Sequence, residues 1–266
     1  MVVPPQPPST LWCTPTRKPS AIGITVAPSH CTVPPKPVGS GPSNIPQCAD
    51  PRPLGRTPAG LACAPAPDDD PRVAYYQRAI QLEAASVIAF ERLARELRQL
   101  GAPAALIVRA EQAAVDEARH AAQMRALAAP LGIDAAPLQV ADIEPRTAAM
   151  IALENAVEGC VREGYAAIVA ALQARRAPAP AFRTTMAAIA DDEAAHAQLA
   201  WDVDAWLRPR LPAAAQAIIA AQARAAAAAL ASVPEPALPA EGLLADAVAG
   251  QLATAYAARC AAAFAA

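Results

Sequence analysis

Two histidines in the alanine-rich part of the chain carry the clearest chemistry. Each follows a glutamate by three residues and an aspartate by four: Asp116-Glu117-Ala118-Arg119-His120 and Asp192-Glu193-Ala194-Ala195-His196. On a helix, positions i and i+3 share a face, so each motif sends one carboxylate and one imidazole toward the same point. Twelve of the 195 residues from position 72 onward are Glu, so both histidines meeting this spacing by chance is about a 0.4% event. Such a pairing reads as a ligand set. Carboxylate oxygens with imidazole nitrogens suit divalent iron or manganese, whereas a structural zinc site would want thiolates.

The two motifs stand 76 residues apart, and an offset of 75 pairs Tyr76 with Ile151, Glu83 with Glu158, Phe90 with Tyr165 and Leu97 with Leu172. The chain therefore reads as a degenerate repeat of two helical hairpins. Glu83 falls within the apolar stripe Tyr76, Ile80, Val87, Phe90, Leu97, and Glu158 within Ile151, Val161, Tyr165, Ile168, Leu172. A carboxylate in the middle of an apolar stripe is costly unless a cation compensates it. Glu83 lies 17 residues before Leu100 and His120 lies 17 after Pro103, so antiparallel packing sets them at one height. One Glu from each of two helices plus Glu-x-x-His from each of two others is the ligand set of di-iron and di-manganese carboxylate bundles. The candidate ligands are Glu83, Glu117, His120, Glu158, Glu193 and His196, holding two Fe or, alternatively, two Mn. Glu163 is the alternative to Glu158, which keeps the repeat and is preferred. Glu154, one turn earlier, reads as an acid nearer the bundle end.

Helix signals supply the elements that must position these residues. Asp70 can cap a helix that opens at Pro71 and stops at Gly101, and Pro103 opens a second that ends near Ala129. A third spans roughly Thr147–Arg176 and a fourth Pro180–Leu207. Two alanine-rich helices follow, about Pro212–Ala231 and Glu241–Phe264. The connection Pro130–Arg146 has 17 residues. Extended, it reaches about 58 Å at ~3.4 Å per residue, more than the about 40 Å of a 27-residue helix at ~1.5 Å per residue. The expected fold is all-α: a four-helix bundle with a long crossover between helices 2 and 3 and two extra C-terminal helices. The expected division is a proline-rich arm 1–71, a di-metal bundle 72–208 and a helical extension 209–266.

The arm holds 18 of the 29 prolines, whereas residues 72–266 hold 68 of the 75 alanines. Its prolines and lack of apolar period predict a largely unstructured segment that contributes little to the core. It does not read as a secretory signal, because prolines interrupt from Pro4 onward. Cys13, Cys31, Cys48 and Cys63 permit two disulfides but contain no CxxC pair. Their state leaves localisation open: cytoplasmic by default, extracytoplasmic if they are oxidised. Cys160 and Cys260 read as buried thiols. The formal charge of −2 gives no basic surface for nucleic acid. The longest apolar run, Leu211–Val233, is carried by Ala and broken by Gln216, Gln222 and Arg224, so no transmembrane segment is expected. Oligomeric state stays open.

The stretches Glu83-Ala-Ala-Ser-Val-Ile-Ala-Phe90, Asp116-Glu-Ala-Arg-His120, Glu158-Gly-Cys-Val-Arg-Glu163 and Asp192-Glu-Ala-Ala-His-Ala-Gln-Leu-Ala-Trp201 carry a likeness. The sequence resembles the ferritin-like superfamily, and more narrowly a group of uncharacterised bacterial ferritin-like proteins. The likeness covers about residues 73–208, the last two helices loosely, and the arm not at all. Ala195 departs from it, since Arg often precedes this His. The resemblance implies a four-helix core with a non-haem di-metal site. It also implies that Asp116 orients His196 across the bundle and Asp192 orients His120; the bland alternative is two solvent-facing acids. Tyr165 reads mainly as core, with a second role beside the metals. The implied function is an oxidoreductase reacting with O2 or peroxide, and with a small-molecule substrate if it has one. The alternatives are an iron-binding, ferroxidase-type protein without organic substrate, and a purely structural bundle.

Overall fold

The computed structural model describes residues 25–27, 56–62, 68–141, 143, 145–232, 237–244 and 246–265. The four arm cysteines lie outside the described residues.

Among the described residues the fold is all-α apart from two three-residue strands. Helix α1 spans Pro71–Gln99 and α2 spans Ala104–Ala128. The Asp70 side chain accepts from the Arg72 and Val73 amides, and Gly101 at φ 70° turns the chain after α1. The third long helix is composite. It runs as α3 (Ala148–Glu154), a π-helical segment (Asn155–Glu163) and α4 (Gly164–Arg176). Helix α5 is Pro180–Leu207, α6 is Ala213–Ser232 and α7 is Ala247–Ala263. The last of these begins six residues later than expected. Gly242 at φ 74° breaks the chain, and Asp246 caps α7 by accepting from the Ala249 amide.

Two apolar clusters lie along these helices with a polar layer between them. In α1, Tyr76 and Ile80 belong to one cluster, Glu83 follows, and Phe90, Leu93 and Leu97 belong to the other. In α2 the order reverses: Leu106 and Ala110, then Glu117 and His120, then Met124 and Ala128. In α5, Phe182, Met186 and Ile189 precede Glu193 and His196, and Leu199 and Val203 follow. The third helix starts in the Leu97 cluster at Ile151 and reaches the Tyr76 cluster only at Ala170. Each buried Leu, Ile or Phe here contributes about 1.5–3 kcal/mol, so both sides of the polar layer are anchored.

The connection from α2 to α3 therefore runs from one cluster to the other. Strand β2 (Gln139–Ala141) lies within it and pairs in parallel with β1 (Thr25–Ala27), Thr25 opposite Gln139. Leu138 and Val140 bury against Ala84, Ala85 and Ala121, beside Glu83 and His120 in sequence. The sequence reading placed no strand in this crossover or in the largely unstructured arm.

Helix α6 packs on α3 and the π segment, inserting Ile219, Ala223, Ala227 and Leu230 into the Leu97 cluster. By length and mean hydropathy (1.3) it is apolar enough to cross a membrane, which the sequence reading did not anticipate. Alanine supplies most of that hydropathy.

Residues 56–62 correct the expectation for the arm further. They form a strap across α1 and the third helix, and Arg56 is among the largest fully buried side chains. The Arg56 amide donates to Ser86 Oγ at 2.6 Å. The Ser86 hydroxyl also lies 3.1 Å from the Arg56 carbonyl oxygen and 3.0 Å from that of Leu82. The Ala59 amide donates to Glu154 Oε2 at 3.3 Å, and Arg92 donates to the Ala59 carbonyl at 2.8 Å. Glu154 also pairs with Arg146, whose guanidinium grips Glu96 through two nitrogens. Glu154 is thus a strap anchor. The Ala62 amide donates to the Gln139 carbonyl and the Ala141 amide to the Gly60 carbonyl, which ties strap to crossover.

Candidate metal centre

Glu83 from α1, Glu117 and His120 from α2 and Glu193 from α5 meet in the polar layer. One ligand atom of each lies within 4.8 Å of all the others, and all four residues are buried. His120 Nδ1 is 3.6 Å from Glu83 Oε2, 3.7 Å from Glu117 Oε2 and 3.5 Å from Glu193 Oε1. His196 stands on the other side of the same two glutamates. Its Nδ1 is 3.2 Å from Glu117 Oε1 and 3.8 Å from Glu193 Oε1. The imidazole centroids are 6.0 Å apart. Glu117 directs one oxygen to each histidine, and Glu193 Oε1 lies within 4 Å of both.

Outside this layer each histidine meets the aspartate of the other motif. His120 Nε2 lies 3.0 Å from Asp192 Oδ2, and His196 Nε2 lies 3.6 Å from Asp116 Oδ2. Arg119 joins the two aspartates, 2.9 Å from Asp116 and 2.7 Å from Asp192. A proton on His120 Nε2 shared with Asp192 leaves the His120 Nδ1 lone pair aimed inward, whereas His196 Nε2 has no hydrogen-bond partner.

The third helix contributes differently from its sequence reading. Glu158 is buried, but Arg162 donates to its Oε1 at 2.9 Å and the Thr57 amide to its Oε2 at 3.2 Å. Burial raises its pKa, Arg162 lowers it, and the Glu154 charge raises it further. Glu163 is fully buried and neither of its oxygens has a hydrogen-bond partner. Burial pushes its pKa up to about 8, Arg56 works against that rise, and Glu193 and Glu117 add to it. Of the two carboxylates, Glu163 is the one left without a hydrogen bond and under the charges of Glu193, His196 and Glu117, whereas Glu158 is engaged by Arg162 and Thr57. The cause is the π segment. Its i→i+5 bonding advances each residue by less than the angle of a 3.6-residue turn, so a phase read through it is wrong.

The local sequence fits this wide turn. A Cβ on Gly159 would sit 2.6 Å from the Ala200 Cβ and 3.3 Å from Arg56 Nη2. Only glycine lets α5 and the Arg56 guanidinium approach together there. Gly164 similarly leaves room for the Tyr256 hydroxyl, which donates to the Cys160 carbonyl at 2.7 Å. Tyr165 sits in the apolar core, its ring centroid 6.0 Å from that of Tyr256. Cys160 and Cys260 are buried free thiols.

The electrostatics are those of donors crowded without a cation. Burial and then the Glu117 charge raise Glu83 to about 8. Burial pulls His196 down, but Glu117 and Glu193 outweigh it and bring it up to about 10. His120 shifts the same way for the same reason, with Glu83 adding its charge. Both oxygens of Glu117 and Glu193, Oε2 of Glu83, Nδ1 of both histidines and Nε2 of His196 have no hydrogen-bond partner. Buried polar atoms are ordinarily satisfied. Hard oxygen and imidazole donors left free at this density fit a divalent cation.

Compared with family models, with curated proteins and with solved structures, the chain matches none. The site must be read from its own chemistry.

Sequence reasoning missed Arg56. Two arginines closer to the motifs in sequence are engaged elsewhere, Arg109 with Asp202 and Arg119 with the outer aspartates. No local motif marks Arg56. The only signal was the excess of buried negative charge, which called for a cation from somewhere.

Proposed function

We propose that the chain is a ferritin-like four-helix carboxylate protein that holds two iron or manganese ions and reacts with O2 or peroxide as an oxidoreductase. One observation carries this reading: His120 and His196 share Glu117 and Glu193 between them, with Glu83 beside His120, and Glu163 is assigned to the His196 half. That is one terminal carboxylate and one imidazole per ion with two carboxylates in common, the set such bundles use. The alternation of the two clusters along the four long helices supports the bundle with its long crossover.

When bound, the metal pair would supply electrons to an oxidant and Lewis acidity in a water-poor layer. The protein's part is to hold the donors. Glu83, Glu117, His120, Glu163, Glu193 and His196 would be the ligands. Asp192 would fix the His120 tautomer, Asp116 faces His196 Nε2 at 3.6 Å, and the flanking apolar clusters would exclude water. The donors are at most 3% exposed, which favours a small oxidant over a bulky substrate at the metals.

The test is anaerobic reconstitution with Fe2+ or Mn2+ followed by metal analysis and exposure to O2 or peroxide. About two ions per chain and an oxidant-dependent absorption change are expected. Protein that takes up no metal would rule the reading out. Two ions that stay inert to both oxidants would assign the site to metal handling or structure.

A further inference from the structure

Arg56 is too elaborately housed to be a chance contact. Its backbone is clasped on α1 by Ser86, and its Nη2 donates to Asn155 Oδ1 at 2.9 Å. Asn155 is itself held, through Nδ2, on the Ala200 carbonyl at 2.8 Å. The guanidinium carbon lies 5.2 Å from the Phe90 ring centroid, and that ring lies 5.0 Å from the His196 ring. Gly159 supplies the space. Yet Nε and Nη1 are buried with no hydrogen-bond partner, and so are both oxygens of Glu163. The structure thus brings a buried fork of N–H donors beside the cluster without letting it close on a carboxylate.

Charge counting shows what such a donor does. Glu83, Glu117, Glu163 and Glu193 supply four negative charges, which two divalent ions cancel. Arg56, 1% exposed, then leaves the buried layer one positive charge in excess. The outer aspartates and Arg119 sum to one negative charge, but they lie nearer solvent than the cluster, with Arg119 44%, Asp192 28% and Asp116 13% exposed. Solvent screens them, whereas an uncompensated charge in the interior is expensive. Guanidinium N–H pairs bind planar oxyanions in preference to other partners.

We propose that the metal-loaded centre takes up one small carboxylate-type monoanion, anchored by the free N–H groups of Arg56 on the π-segment side. The inference rests on the two-ion reading of the site and adds the chemical class of its ligand. The strap residue makes the centre an acceptor of anions rather than of neutral molecules, and it couples anion uptake to the second metal ion. With one ion the buried layer is negative and repels the anion. With two it is positive and attracts it.

Equilibrium dialysis with Mn2+ and radiolabelled formate tests this on the full chain, using wild type, Arg56→Gln and Arg56→Lys. Wild type should bind about one formate per chain only when two Mn2+ are bound. Saturating formate should tighten uptake of the second ion by about 5–150-fold, the ordinary range of coupling between sites. Arg56→Gln is neutral and ends at the level of Nε, short of Asn155, so it should keep two Mn2+ and lose the formate and its effect. Arg56→Lys should retain part of both. Circular dichroism checks that each variant is helical; if Arg56→Gln is not, wild type beside Arg56→Lys still decides. Wild type with two Mn2+ and no formate would overturn the anion site alone, as would formate binding unchanged in Arg56→Gln. Wild type without Mn2+ would overturn the two-ion reading and the anion site together.

Discussion

His120 on α2 and Asp192 on α5 face each other at 3.0 Å, Nε2 to Oδ2. Each Asp-Glu-x-x-His motif therefore completes the other, because its glutamate and histidine point inward while its aspartate serves the opposite histidine. Replacing Asp192 by Asn should weaken metal affinity about 10–100-fold, the usual loss when a carboxylate partner of a ligating imidazole is removed. Asp116→Asn should cost less, since its oxygen lies 3.6 Å from His196 Nε2. Competition with a chelator of known affinity measures both. Equal affinities in wild type and Asp192→Asn would return these residues to the role of surface acids.

Glu163 and Glu158 offer a sharper contrast, because both are buried on one helix, Glu158 is engaged by Arg162 and Thr57, and neither oxygen of Glu163 has a hydrogen-bond partner. Glu163→Gln should lower metal stoichiometry and weaken binding by more than the roughly 10–100-fold of an outer partner. Glu158→Gln should leave stoichiometry unchanged and loosen the strap, since it weakens the acceptor of the Thr57 amide and unpairs Arg162. Metal analysis of the two variants side by side separates them. The reverse order would restore Glu158 as the ligand.

That contrast shows where the sequence was readable. Helix ends marked by local chemistry, such as Asp70 before Pro71 and Pro180 at the start of α5, lie where capping and proline geometry put them. The convergence of Glu83, Glu117, His120 and Glu193 was legible from spacing because α1, α2 and α5 are regular through those positions. Glu163 was given second place because no sequence period announces a π turn. The start of α7 was missed because alanine at nearly every position gives no stripe, so only Gly242 and Asp246 mark it. Arg56 was invisible because its neighbours are prolines and small residues, and its role exists only through tertiary contacts with Ser86, Asn155 and Phe90.

The proton load of the metal-free layer gives a pH prediction. Glu83 and Glu163 are raised from 4.5 to about 8, and His196 from 6.5 to about 10. All three shifts are upward, as is that of His120. The folded apoprotein thus binds more protons than the unfolded chain between these values, and linkage makes its stability fall as pH rises. The carboxyl contribution is complete below 4.5 and is lost as pH passes 8; the imidazole contribution is complete below 6.5 and is lost toward 10 and above. Thermal melts of chelator-treated protein should show Tm decreasing from about pH 5 to about pH 9. Metal ions replace these protons, so the loaded protein should lose that decline and its metal affinity should climb with pH. An apoprotein Tm that increases over the same range would contradict the assignment.

Truncation tests the strap as a structural element. Removing residues 1–55 leaves Arg56 and its contacts in place, whereas removing residues 1–62 takes them all. The longer deletion strips the partners of Ser86 and Asn155, the amide donors to Glu158 and Glu154, and the carbonyl acceptor of Arg92. Each buried group left unsatisfied costs about 1–3 kcal/mol, though the losses do not add fully. In a domain of this size each kcal/mol lowers Tm by roughly 2–4 °C. The 1–62 deletion should therefore melt well below the 1–55 deletion and below the full chain. It should also expose the crossover, because Gly60 and Ala62 hold Gln139 and Ala141 by backbone hydrogen bonds. Hydrogen exchange at the Ala141 amide reads that directly. Identical melting of the two truncations, with protection at Ala141 retained, would show that the strap adds nothing to the helical core.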